Sequence, residues 1–329
     1  MILNFVQVAS AVRGAETVER DGKWIRFHRF TEAQRKIYDE TYPDRSIKTP
    51  ATAGIRLAFY TDSKTLAFSF RFFKCQTSAI PRIYPRIDVY KNGTMIAHVG
   101  LDDYIDREAR TEISLGEGLH KIEIYLPWVM AAELSDVTLD DGARFEPFNR
   151  AHTMLTYGDS ITQGYDCKYP SLTYASTLAR FMDADAINKG IGGEIFFPEL
   201  LDEPVTTAPD YITVAYGTND WCHLTCETVS KNCRAFYKRL SEMYPASKIF
   251  AIAPIWRSNG EEITAFGAPV TAVYDMICEK TADLENVTVI CGDNLAPQMK
   301  AFTSDGLHPI DAGAQIYAQN LYRMIESYL

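Results

Sequence analysis

Thr153-Met154-Leu155-Thr156-Tyr157, continued by Gly158-Asp159-Ser160-Ile161-Thr162-Gln163-Gly164, decides how the chain is read. The first five residues are a short apolar run, the pattern of a buried strand. Glycine then lets the backbone turn sharply where that strand ends. A serine at such a turn has its hydroxyl lifted out of the sheet and offered as a nucleophile. Taken alone, Gly-Asp-Ser is equally a strand-to-helix turn with a capping serine.

Downstream, short β runs alternate with longer helical ones. Strands are expected at 153–157, 186–188, 211–215, 249–253 and 287–290, and helices near 171–182, 228–243, 266–284 and 311–328. In the last, Tyr317, Leu321, Met324, Ile325 and Tyr328 are expected on one face. Alternating βα units argue for a parallel sheet covered by helices on both faces, with the site at the carboxyl ends of its strands.

Three further pieces of chemistry appear downstream, two at such strand ends and one just before the last helix. Asp305-Gly306-Leu307-His308-Pro309 puts a carboxylate three residues from an imidazole, about one helical turn, with Pro309 expected to open the last helix. The carboxylate would fix the tautomer and leave the other ring nitrogen to act as base toward Ser160. Tyr216-Gly217-Thr218-Asn219-Asp220 ends the third strand, where the Asn219 amide can donate to a developing oxyanion. Asn188-Lys189-Gly190-Ile191-Gly192-Gly193-Glu194 is a glycine-rich loop whose Gly193 N–H is a second donor; it lacks the Lys-Ser/Thr pair of a phosphate-binding P-loop. Singly, each reads as an ordinary turn. Jointly they supply nucleophile, base, orienting acid and oxyanion donors.

The first ~145 residues have a different period. Ile55-Arg56-Leu57-Ala58-Phe59-Tyr60, Leu66 to Phe72 and Ile122 to Leu126 alternate large apolar with smaller or polar residues, and Asn92-Gly93 is a strong hairpin signal. Several short strands with turns between them imply an antiparallel sandwich. With 329 residues there is room for two cores, here 1–148 and 149–329. A formal net charge of -10 argues against a nucleic-acid partner, and no apolar run is long enough for a membrane span. The N-terminus lacks the pattern of a signal peptide, and seven scattered cysteines fit reduced thiols, so a cytoplasmic location is expected.

Over about 150–329 the sequence resembles the SGNH hydrolases, the GDSL-type esterases. The four blocks are Gly158-Asp159-Ser160-Ile161, with isoleucine where leucine is usual, Asn188 through Gly193, with Gly192 where many relatives have serine, Gly217-Thr218-Asn219-Asp220, and Asp305-Gly306-Leu307-His308. The resemblance implies a flavodoxin-like α/β/α fold. It also implies Ser160 as nucleophile, His308 as base, Asp305 as its partner, and an oxyanion hole from the N–H groups of Ser160 and Gly193 plus Asn219. Gly192 competes for the Gly193 role. Residues 53–57, 61–66, 87–90 and 124–127 look like the jelly-roll-like β-sandwich that precedes a subset of these hydrolases, some carbohydrate esterases among them.

The expected function is a serine carboxylic-ester hydrolase acting on small acyl esters, O-acetyl groups on a carbohydrate by family analogy, with no metal or organic cofactor. The rivals are an acyltransferase or a lipid or thioester hydrolase with the same triad, and an inactive carbohydrate-binding protein on the same fold. Trp221 and Trp256, both near strand ends, are candidates for stacking on substrate. Lys168 to Ser171 and Arg257 to Asn259 are candidate pocket loops. Cys222, His223, Cys226 and Cys233 lack a second cluster to complete a metal site and read better as a helix with buried thiols. Oligomeric state is left open.

Overall fold

The computed structural model describes residues 1–75, 85–102, 107–202 and 208–329. In the first half, helix α1 (Phe5–Ala11) precedes β1 (Val12–Arg13), β2 (Thr17–Asp21) and β3 (Trp24–His28). Helices α2 (Glu32–Thr41) and α3 (Pro43–Ser46) follow. Then come β4 (Arg56–Thr61), β5 (Thr65–Lys74), β6 (Arg86–Lys91), β7 (Thr94–Gly100), β8 (Ala109–Ser114), β9 (His120–Tyr125), β10 (Met130–Leu139) and β11 (Glu146–Pro147).

These strands form two antiparallel sheets. One has the order β1-β4-β9-β6-β7 with β11 also on β4, the other β2-β3-β10-β5-β8. Alternation places Leu57, Phe59, Phe68, Phe70, Ile122 and Ile124 in one core between the sheets. Asn92 and Gly93 both take positive φ, 52° and 82°, as a tight β6–β7 hairpin requires.

The second half runs β12 (His152–Gly158), α4 (Ser160–Gln163), α5 (Tyr174–Phe181), β13 (Ala184–Asn188), β14 (Tyr211–Ala215), α6 (Thr218–His223) and α7 (Cys226–Met243). It ends with β15 (Lys248–Ile252), α8 (Ala272–Thr281), β16 (Val287–Ile290) and α9 (Asp311–Ile325). All five strands are parallel, in the order β13-β12-β14-β15-β16. That is the flavodoxin-like order, whose strand order reverses beside β12. Side chains of α7 and α8 fill the core on one face, and those of α5 and α9 fill it on the other.

Two local expectations change. Helix α9 buries Tyr317, Leu321 and Ile325, whereas Met324 and Tyr328 are exposed. Met324 sits on the flank of the stripe, and Tyr328 lies beyond the end of the helix. Pro309 does not start α9; it bridges to Thr303, and Ile310 is the cap.

The segment carrying α2 and α3 was not expected from strand periodicity. It leaves the sandwich and packs against the parallel-sheet core through Phe30 and Tyr38. Thr31 and Gln34 form a capping box at its start. Behind it, Lys189 Nζ is fully buried and donates to Glu16 Oε1 at 2.7 Å and Gln34 Oε1 at 2.9 Å. The buried Arg29 donates from Nη1 to the carbonyls of Asn188 (2.6 Å) and Gly190 (3.0 Å). The loop after β13 is thus held by charges from the first half of the chain.

Candidate active site

Ser160 opens α4 where β12 ends. Asp159 caps that turn, its Oδ1 accepting the Ile161 N–H at 2.9 Å. Gly158 is required by contact, because a Cβ there would fall 1.9 Å from Thr162 Oγ1. The Ser160 hydroxyl donates to His308 Nε2 at 2.8 Å, and His308 Nδ1 faces Asp305 Oδ2 at 2.9 Å. A ring nitrogen accepting at Nε2 carries its proton on Nδ1, which therefore donates to the carboxylate.

Asp305 is positioned by its own turn. Its Oδ1 accepts the N–H groups of Leu307 (3.0 Å) and His308 (2.9 Å), leaving Oδ2 for the imidazole. No helix spans residues 303–309. The expected one-turn helical spacing is replaced by this side-chain-to-backbone turn, which gives the same Asp–His contact.

Two neighbours of His308 escaped the sequence reading. The Tyr165 ring lies against the imidazole, centroids 5.6 Å apart and planes 30° apart. Asp166 Oδ2 is 4.0 Å from His308 Nδ1, almost buried, and accepts from the Ser304 hydroxyl. Asp166 takes a left-handed φ of 66°, which an aspartate tolerates better than most residues. Both directly follow the first block, so proximity in sequence was the available signal.

The loop after β13 brings Gly192 and Gly193 alongside. The Gly192 N–H is taken by Gln163 Oε1 at 2.9 Å. Gly193 is exposed, with φ of 87°, a conformation that favours glycine. No acceptor for its N–H occurs among the described residues. Asn219, in the first turn of α6, donates from Nδ2 to the Glu194 carbonyl at 2.9 Å and keeps its second amide hydrogen. Asp220 ties these loops together, accepting from Phe196 N–H at 3.0 Å and Gly217 N–H at 3.1 Å. Burial pushes the carboxyls of Asp220 and Asp159 up, to about 7 and about 6.

The tryptophans separate. Trp221 is fully buried, with its indole N–H donated to the Ala268 carbonyl at 2.7 Å and Arg257 over its ring. No ring face is left for a sugar, because α6 turns it into the core. Trp256 is half-buried on the loop after β15. Arg257 is spent internally on Thr218, Cys222 and Asn259, and Ser171 on Asp88. Of the cysteines beside α6 and α7, only Cys233 is buried, and Cys226 is exposed. Among the described residues Cys222, His223, Cys226 and Cys233 do not gather as ligands; the one such group is Asp166, Asp305 and His308.

Residues 156–316 match the model of the GDSL-like Lipase/Acylhydrolase family. The second half carries a GDSL-like acylhydrolase domain. The chain is accordingly a hydrolase, with family two carbohydrate esterases among its structural neighbours. No curated protein matches it in sequence.

Among solved structures, the chain is similar to the salicylyl-acyltransferase SsfX3 from a tetracycline biosynthetic pathway. That match has TM-score 0.81 and 20% identity over 96% of this chain and 94% of that one. A family two carbohydrate esterase from Clostridium thermocellum, in complex with cellohexaose, gives TM-score 0.65 and 16% identity over 93% and 98%. Another from Cellvibrio japonicus gives 0.64 and 14% over 98% of each chain. At these identities the likeness is one of fold, and it spans the sandwich as well as the acylhydrolase domain. Among the described residues no helix is long and apolar enough to cross a membrane.

Proposed function

We propose that the chain is a serine esterase that removes small acyl groups, O-acetyl groups on a carbohydrate in particular, through an acyl-enzyme. The observation that carries this reading is the continuous relay from Ser160 Oγ to His308 Nε2 (2.8 Å) and from His308 Nδ1 to Asp305 (2.9 Å). Ser160 Oγ attacks the ester carbonyl as His308 Nε2 takes its proton. The imidazolium, its Nδ1–H held by Asp305, returns that proton to the leaving alkoxide, and the alcohol departs. Water then loses a proton to His308 and attacks the acyl carbonyl, freeing the acid and Ser160.

The oxyanion would be met by the N–H groups of Ser160 and Gly193 and by the second Asn219 amide hydrogen. Gly193 is preferred to Gly192 because the Gly192 N–H is already given to Gln163. One such donor is worth about 3 kcal/mol of barrier. In this reading the sandwich, 1–148, is an accessory domain to a catalytic 149–329, while the segment from Phe30 to Tyr38 serves the catalytic core.

Support for an acetylated sugar comes from the fold shared with carbohydrate esterases along nearly the whole chain. Trp256 is the remaining aromatic candidate for contact with the ring. The fold shared with a salicylyl-acyltransferase favours one rival, transfer to an alcohol other than water. The test is p-nitrophenyl acetate turnover by the wild type and by Ser160→Ala, then a panel from acetyl to long acyl esters including acetylated sugars. Equal, negligible turnover by both proteins sinks the enzyme reading. Acyl capture by an added alcohol far faster than by water replaces hydrolase with transferase.

A further inference from the structure

Lys48 belongs to none of the four blocks. It follows α3 on the segment that packs against the parallel-sheet core, and its side chain is half-buried. Its Nζ donates to the Gly192 carbonyl at 2.6 Å, from 144 residues away in sequence. The same Nζ lies 3.9 Å from where a Cβ on Gly193 would sit. The charged groups that act on it are Asp44 and Arg45 on α3, just before it in sequence, and Glu194 on the facing loop. Glu194 is already bound to Arg45 at 2.7 Å.

The Gly192 carbonyl and the Gly193 N–H are the two ends of one peptide group. An ammonium on the oxygen draws electron density toward it and leaves the N–H more positive, as in any chain of linked hydrogen bonds. It also fixes the rotation of that peptide plane, which two successive glycines would otherwise leave loose. A cation drawn partly out of water here, with Asp44 and Glu194 acting on it and Glu194 already engaged by Arg45, has an electrostatic use if a negative charge forms next to it.

We propose that Lys48 is a positioning residue for the oxyanion site, holding and polarising the Gly192–Gly193 peptide so that the Gly193 N–H is a stronger donor when charge develops. The inference rests on the esterase reading above, in which Gly193 is that donor. It does not require Lys48 to touch substrate. It assigns a role in the chemical step to the first half of the chain. Burial draws the Lys48 ammonium below its ordinary pKa, so the positive charge is lost at a lower pH than for a free lysine.

The experiment compares wild type, Lys48→Met, Lys48→Arg and Ser160→Ala on p-nitrophenyl acetate from neutral to alkaline pH. Lys48→Met is expected to lower kcat about 10-fold with KM nearly unchanged, a fraction of the 10²–10³-fold that loss of a whole donor brings. Lys48→Arg is expected to restore most of kcat near neutrality and to move the alkaline fall of kcat to higher pH, because arginine keeps its charge. A Lys48→Met enzyme with wild-type kcat overturns the proposal. So does a Lys48→Arg profile whose alkaline limb coincides with the wild type; that comparison stands even if the methionine variant fails to fold. If Ser160→Ala retains full activity, it is the esterase reading that fails instead.

Discussion

Replacing Arg45 by Met probes how the loop carrying Gly193 is held. The Glu194 side chain is 0% exposed; its Oε1 takes Arg45 Nη1 at 2.7 Å and its Oε2 the Tyr38 hydroxyl. Burial raises its carboxyl above the ordinary range, and Arg45 is the largest influence opposing that rise. Removing one member of such a buried pair costs about 3–5 kcal/mol, because the other charge stays buried without its partner. Arg45 also lies 4.0 Å from the Tyr42 ring centroid, a contact worth roughly 0.5–1 kcal/mol that goes with it.

The sign with pH follows from linkage. Without Arg45 the folded-state carboxyl titrates higher still, so the folded protein holds a proton that the unfolded chain has released. Stability relative to wild type is then best preserved in acid and falls as pH rises. Urea midpoints at pH 5 and pH 8 should show a gap between wild type and Arg45→Met that widens at pH 8. Adding Glu194→Gln should recover most of it, since a neutral amide needs no counter-charge. Because the Glu194 carbonyl receives the Asn219 amide at 2.9 Å, kcat should fall with stability and recover with it. A gap below about 1 kcal/mol at pH 8, equal gaps at both pH values, or no rescue by Glu194→Gln would refute this account of the loop.

Asn219→Ala should cut kcat by about 10²–10³-fold with little change in KM; a loss under threefold removes Asn219 from the oxyanion site. Asp305→Ala should leave a residue of activity that Asp305→Ala/Asp166→Asn lowers about 10-fold further, since Asp166 stands 4.0 Å from His308 Nδ1; equal kcat/KM for the two contradicts a role for Asp166. Burial raises Asp220 to about 7, so its contribution is full below the unfolded value of 3.8 and is lost as pH climbs through 7. The stability of wild type relative to Asp220→Asn should therefore decline between pH 4 and pH 7, by at most on the order of 4 kcal/mol; a flat difference contradicts it. Chelation with EDTA should leave kcat unchanged, because Nδ1 of His308 gives its proton to Asp305 and has no lone pair for a metal; activity lost to EDTA and restored by a divalent cation contradicts this.

Much of the architecture was legible because two periodicities meet near Phe148. Strand alternation in 55–60, 66–72 and 122–126 reports one buried face per strand, and the strands appear at β4, β5 and β9. The near-continuous apolar runs of β12, β14 and β15 report burial on both faces, as parallel strands require. Ser160, His308 and Asp305 could be singled out because each sits in a short block with its own turn chemistry.

What escaped was set by distant partners. Lys48, Arg45 and Tyr38 act on a loop some 144 to 156 positions away, and no local pattern announces that. Trp221 was expected near a cleft because it follows the third block near a strand end, but the helical turn of α6 points side chains in different directions, so Asn219 reaches the Glu194 carbonyl while Trp221 enters the core.

The central claim, that Ser160 is a nucleophile activated by His308, is tested most directly by a fluorophosphonate probe read out by peptide mass. The account predicts one adduct per chain, on Ser160, absent in Ser160→Ala and much slower in His308→Ala. An adduct on another residue, or labelling of Ser160→Ala at the wild-type rate, would contradict it.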